Sequence, residues 1–199
     1  MSDPPVSPAT EPSATTAAKE PVGAGATQGV QGFVTWIRDL AISLAVSAFV
    51  IVFLYQPVKV EGGSMMPSLT NRERVFVNKF VYRLESIERG DVVVFRYPRD
   101  PSLSFIKRVI GVPGDRIRIE DGQVYVNGKA LEEDYLFPPF VDRDQSFSEI
   151  VLEPHKYFVM GDHRNMSDDS RDFGPLDVTY IYGKASFVYW PLEKMGRVR

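Results

Sequence analysis

Hydrophobic and polar positions divide the chain into three zones. In residues 1–32, 22 positions are Pro, Gly, Ala, Thr or Ser and none is aromatic. Such a stretch has too little apolar surface to offset its chain entropy, and it is expected to be a disordered tail. Residues 33–55 reverse the pattern: Phe33 to Ile37 is largely apolar, and after Arg38 and Asp39 the 16 residues from Leu40 to Tyr55 carry no charge. As a helix this segment would reach roughly 34 Å, against about 30 Å of bilayer hydrocarbon, so the pattern predicts one transmembrane anchor at 33–55. Trp36 and Tyr55 then fall at the two interfaces, where amphipathic rings prefer to sit. The net-acidic flank before Arg38 and the absence of a small-x-small site around Gln56 to Lys59 speak for an uncleaved anchor over a secretory signal.

Residues 56–199 show a third pattern, with short β-branched and aromatic runs between turn residues. Val75 to Val77, Val92 to Phe95, Phe105 to Val112, Ile117 to Ile119, Val124 to Val126, Tyr157 to Met160 and Ala185 to Tyr189 read as strands. Asn127-Gly128 supplies the positive φ angles of a two-residue hairpin turn. Little of this zone has helical periodicity. The prediction is a mostly β fold: a coiled antiparallel sheet or barrel-like catalytic domain behind a single N-terminal transmembrane helix.

Composition then narrows the chemistry. The chain contains no cysteine and two histidines, which excludes disulfide staples, thiol nucleophiles and Cys-ligated metal sites. No metal and no organic cofactor is expected. A net charge of -3 lacks the basic stripe that neutralises phosphates, so nucleic acid is not an expected partner. Lys59, Arg72 and Arg74 after the apolar segment, against Lys19 and Arg38 before it, would by count place the C-terminal part in the cytoplasm.

Three places carry candidate chemistry. Gly62-Gly63-Ser64-Met65-Met66-Pro67 would hold a serine on a shaped turn, but a serine hydroxyl needs a base to attack a carbonyl. His155 and His163 are possible bases. Lys107 is another: strand alternation puts it on one face with Phe105 and Val109, where burial would lower its pKa toward 7 or 8. The third place is the polar run from Met160 to Gly174, in which Ser167 could orient an amine and Asp169 could pair with Arg171. Tyr135 to Phe140 is an apolar loop that would either touch a membrane or fold onto the domain.

Taken in order, Gly62-Gly-Ser-Met-Met-Pro-Ser-Leu69, Arg89-Gly-Asp-Val-Val-Val-Phe95, Ile106-Lys-Arg-Val-Ile-Gly-Val-Pro-Gly-Asp115 and Met160-Gly-Asp-His-Arg-Asn-Met-Ser-Asp-Asp-Ser-Arg171 resemble the bacterial type I signal peptidase (leader peptidase) family. The resemblance covers most of residues 33–199. It implies a membrane-bound serine endopeptidase that removes signal peptides from exported preproteins after small-x-small sites. It places the catalytic domain on the outer, periplasmic side of the bacterial cytoplasmic membrane, against the charge count. By the same resemblance Ser64 is the nucleophile and its N–H an oxyanion donor. Lys107 is the general base, Ser167 the serine that hydrogen-bonds it, and Asp169 with Arg171 a supporting ion pair. Val60 and Ile106 match positions lining the substrate pockets, and preprotein signal peptides and membrane lipid are the implied partners. The chain departs from the family pattern at Gly62, where many members carry a second oxyanion hydroxyl, and at His163, Asn165 and Met166 in the last block. A self-cleaving repressor-type Ser/Lys protease and a catalytically silent peptide-binding domain are the competing readings.

Overall fold

The computed structural model describes residues 25–198, so most of the expected N-terminal tail lies outside the described residues. The first element is a long helix, α1 (Gly25–Leu54), whose stretch Gly32–Val50 has a mean hydropathy of 1.6 and is long and apolar enough to cross a membrane. It begins at Gly25, ahead of the boundary expected at residue 33. After Pro21 no proline interrupts the chain before Pro57, and adding a turn to an existing helix is far easier than nucleating one. Arg38 and Asp39, the two charges within the apolar stretch, pair with each other at 2.9 Å. The helix ends one residue short of Tyr55, because Pro57 cannot continue a helix and its predecessors adopt extended geometry.

From Tyr55 onward the chain forms two sheets in which every pairing is antiparallel. The strands are β1 (Tyr55–Lys59), β2 (Arg74–Asn78), β3 (Val92–Tyr97), β4 (Asp100–Gly111), β5 (Arg116–Glu120), β6 (Gln123–Val126), β7 (Lys129–Ala130), β8 (Phe147–Val151), β9 (Lys156–Met160), β10 (Leu176–Asp177), β11 (Ile181–Trp190) and β12 (Gly196–Arg197). The larger sheet has the order β1-β2-β11-β3-β4-β9-β10, with β12 added to β11. The smaller has the order β7-β6-β5-β8. Two single-turn helices, α2 (Val81–Leu84) and α3 (Ser170–Phe173), lie in the connections.

The larger sheet is covered on both faces. Val92 and Val94 pack with Val60, Met65, Leu69, Val75 and Val77, while Val93 and Phe95 pack with Val109, Val159 and Leu176. Burial of both faces explains why Val92 to Phe95 is a continuous apolar run instead of an alternation. The smaller sheet closes its own core of Ile117, Ile119, Val124, Val126 and Leu152 against Ile110, Phe158 and Met160. Asn127 and Gly128 have φ of 54° and 80°, the left-handed pair that the β6–β7 turn requires. All seven runs expected as strands lie within strands. The sequence pattern missed β1 and β8, whose partly exposed residues lack a strong apolar alternation.

The connectivity leaves two strand edges open. β1 pairs only with β2. β4 pairs with β3 along most of its length but with β9 only from Arg108 onward, so Asp100 to Lys107 has one neighbouring strand among the described residues.

Candidate active site

The loop that follows β1 is closed by the backbone. Val60 N–H donates to Glu73 O (2.8 Å) and Arg72 N–H donates to Val60 O (2.9 Å). Within this loop Met66 N–H donates to Gly63 O (3.0 Å) and Leu69 N–H to Met65 O (2.8 Å). Met65 and Leu69 are buried in the core, so the apolar side chains of the motif pin its backbone while Ser64 between the glycines and the core remains half-exposed. Lys107 enters from β4. Its Nζ lies 2.7 Å from Ser64 Oγ, 43 residues away in sequence.

Strand alternation places Lys107 on the face that also carries Phe105 and Val109, as the sequence predicts, and its ammonium position lies 5.4 Å from the centre of the Phe105 ring. The side chain is 3% exposed. Burial pulls the amine down from its ordinary value to about 8, against the opposing pull of the Asp169 and Asp168 charges. Neutral, the amine accepts the hydroxyl proton of Ser64; charged, it only donates to that oxygen. Ser64 and Lys107 face a groove of about 500 Å³ between the open edges of β1 and β4, which Val60 and Ile106 also line. Met166 and Asp168 complete one wall.

The remaining wall is the segment after β9, and it is held by charge. Arg171 makes a two-pronged pair with Asp169, Nε to Oδ1 and Nη2 to Oδ2, both at 2.8 Å. Both groups are buried, and Asp169 also accepts from Gly161 N–H at 3.0 Å. Burial alone would raise the Asp169 pKa, but the Arg171 guanidinium outweighs it and the carboxyl is held below its ordinary value. The expected Asp169–Arg171 pair is therefore formed. Ser167 and Lys107 are not joined by a hydrogen bond: Ser167 Oγ is buried without a partner among the described residues and packs against Gly161. A Cβ on Gly161 would stand 2.3 Å from Ser167 Oγ and 2.4 Å from Ser64 O, so only glycine allows these two backbones to approach.

Several functional contacts were not visible in the sequence. Arg108, next to Lys107 but on the opposite face of β4, grips Asp162 through Nε (2.8 Å) and Nη2 (2.7 Å) and also donates to Gly90 O and Ser68 Oγ. Arg164 pairs with Glu133 and donates to Gly161 O, tying the 131–146 connection to the same wall. The partners lie 54 and 31 residues apart, and only the Lys-Arg and Arg-Asn placements hinted at them. His163 does not reach Ser64 Oγ; its Nδ1 is 3.2 Å from Gly63 O. His155 accepts at its backbone from Val178 N–H, far from the groove lining. Gly62 offers no side-chain donor, and its N–H is turned to Asn71 Oδ1 at 3.3 Å.

Comparison with known proteins gives one consistent result. A family model described as signal peptidase, peptidase S26, matches residues 33–190. Signal peptidase I S of Bacillus subtilis (strain 168) is 35% identical over 171 residues, covering 81% of this chain and 91% of that protein. Signal peptidase IB of Staphylococcus aureus is 36% identical over 174 residues, covering 80% and 90%. A crystal structure of a signal peptidase I from Enterococcus faecalis V583 aligns with a TM-score of 0.46 at 31% identity, covering 51% of this chain and 98% of that one.

Proposed function

The chain belongs to the signal peptidase family, peptidase S26, whose members are serine peptidases that cleave signal peptides, and on that premise we propose that Ser64 and Lys107 form its catalytic dyad. The observation that carries this reading is the 2.7 Å contact between a buried, deprotonatable amine and the one serine hydroxyl it faces, at the floor of a peptide-sized groove. Neutral Lys107 takes the Ser64 proton as Oγ bonds to the scissile carbonyl carbon. The resulting ammonium returns that proton to the leaving amine as the C–N bond breaks. Water then attacks the acyl-enzyme, with Lys107 again accepting a proton, and Ser64 is regenerated. The Ser64 N–H faces the charge that develops on the carbonyl oxygen.

The substrate binds extended, its backbone pairing with the open edges of β1 and β4. Alternate side chains then point toward Val60 and Ile106, whose apolar surfaces favour small residues on the acyl side of the cut, such as Ala-x-Ala. Asp169 and Arg171 hold the wall of the groove, and Ser167 supports it by packing on Gly161. The apolar helix anchors the chain in lipid as a single span, with residues 56–199 on the outer side of a bacterial cytoplasmic membrane, where translocated preproteins emerge. No cofactor and no nucleic acid enter the reaction.

The test is cleavage of a preprotein with an Ala-x-Ala site by the detergent-solubilised full chain, beside Ser64→Ala and Lys107→Ala. Product from the parent and none from either variant supports the dyad. Parental turnover that survives Lys107→Ala removes the lysine from the mechanism, and turnover that survives Ser64→Ala removes the reading altogether.

A further inference from the structure

Gly63 and Ser64 are joined by a planar trans peptide, in which the carbonyl oxygen and the following N–H point in opposite directions. Whatever holds Gly63 O therefore aims the Ser64 N–H. Two groups hold it: Met66 N–H at 3.0 Å, within the same loop, and His163 Nδ1 at 3.2 Å, from the wall after β9. A carbonyl can only accept, so the proton of this contact sits on Nδ1. His163 also donates its own backbone N–H to Ser64 O at 3.0 Å, fixing the next peptide as well. The ring is kept in place by Phe140, whose centroid is 4.0 Å away. No backbone acceptor among the described residues takes the Ser64 N–H itself.

We infer that His163 is a positioning residue for catalysis: its Nδ1–H, acting through the Gly63 carbonyl, orients the Ser64 N–H for the oxyanion. The inference rests on Ser64 being the nucleophile. Its weight in this chain comes from Gly62, which brings no second side-chain donor, so the alignment of one peptide N–H carries more of the oxyanion stabilisation. The contact spans 100 residues and joins the loop after β1 to the wall after β9. The Met66 bond remains when the imidazole is removed, so the peptide is loosened and not released. The loss is then smaller than the hundredfold or more that follows deletion of an oxyanion donor, on the order of tenfold in kcat.

The full chain in detergent, with kcat and KM measured on the same preprotein, separates the donor from the ring. His163→Asn places an N–H at the same δ position without an aromatic ring, and His163→Phe keeps the ring stack on Phe140 without a donor. The inference expects kcat of His163→Asn within about twofold of the parent and kcat of His163→Phe lowered about tenfold, with KM unchanged in both. A peptide aldehyde whose adduct puts its oxygen at the oxyanion position should bind the Phe variant about tenfold more weakly. His163→Ala replaces His163→Phe if the latter does not fold. The reverse order, equal losses, no loss in either, or a change confined to KM overturns the inference. Ser64→Ala, run alongside, keeps the two claims apart: an active Ser64→Ala chain sinks the dyad, while an inactive one with a fully active His163→Phe sinks only the positioning role.

Discussion

Two faces of β4 treat neighbouring cations in opposite ways. Lys107 and Arg108 are each 3% exposed, yet Arg108 meets the carboxylate of Asp162 in a two-pronged pair while Lys107 meets only the hydroxyl of Ser64. Burial penalises a charged group on either face, and what differs is whether a paired carboxylate offsets it. On the Arg108 face the charge is kept and serves as a clamp between strand, serine loop and wall. On the Lys107 face the nearby carboxylate of Asp169 is already engaged by Arg171, so it raises the amine pKa too little to cancel desolvation. The lesson is that a neutral lysine needs its potential counter-ions occupied elsewhere, and the buried arginines around the groove do that.

The sharpest way to break the contrast is to discharge Lys107 permanently. Lys107→Met should lower cleavage by at least about 10³-fold, near the upper range for a general base. The same variant should be more stable than the parent at pH 7. The lysine pKa is about 10.5 unfolded and about 8 folded, so protons favour the unfolded chain. The penalty of about 3 kcal/mol is fully present below pH 8, fades as the amine deprotonates, and is gone above about 10.5. Unfolding of both chains in detergent as a function of pH checks this, and a Met variant no more stable than the parent at pH 7 would mean that Lys107 is not penalised by its site.

On the other face the effect is on folding. Arg108→Met leaves Asp162 buried and unpaired, and should destabilise the chain by about 3–5 kcal/mol. Adding Asp162→Leu should return most of that loss, since an apolar pair of similar volume is often nearly neutral. Denaturant unfolding of the single and double variants reads the difference; equal stability of the two would show that the pair is not the source of the effect. The smallest expected effect is the pH profile of the parent. As Lys107 deprotonates, kcat/KM should rise about tenfold per pH unit up to about pH 8 and level above it. An acid limb that continued to rise toward pH 10 would mean that the amine keeps its ordinary basicity.

The lysine half of this contrast was legible in the sequence because strand alternation is local: Phe105 and Val109 flank Lys107 two residues to each side, and that alone predicts a desolvated amine. Ser64 was legible from its glycines and the chemistry of a base-activated hydroxyl. The arginine half was not, because Asp162, Glu133 and Gly90 reach their partners only through sheet topology. The same holds for His163, which composition offered as a base and which the fold instead turns onto the Gly63 carbonyl. Ser167 shows the opposite error: a polar residue in the right block, whose hydroxyl the fold sets against Gly161 and not against the lysine. In the fold itself, strong apolar runs foretold their strands, while β1 and β8 escaped because they sit half in solvent and take their identity from a neighbour.

The unpaired edges of β1 and β4 have a consequence for the molecule's handling as a material. A strand edge that welcomes one extended chain gives the same hydrogen-bond template to any other, including a loosened copy of the protein itself. Asp100 and Pro101 at the far end of the β4 edge, and the Lys59–Glu61 pair beside β1, place charge and a missing donor along that template. Such residues act as gatekeepers against sheet-to-sheet association and fibril growth. Neutralising them would leave the groove intact and shorten the time for which a concentrated sample stays clear.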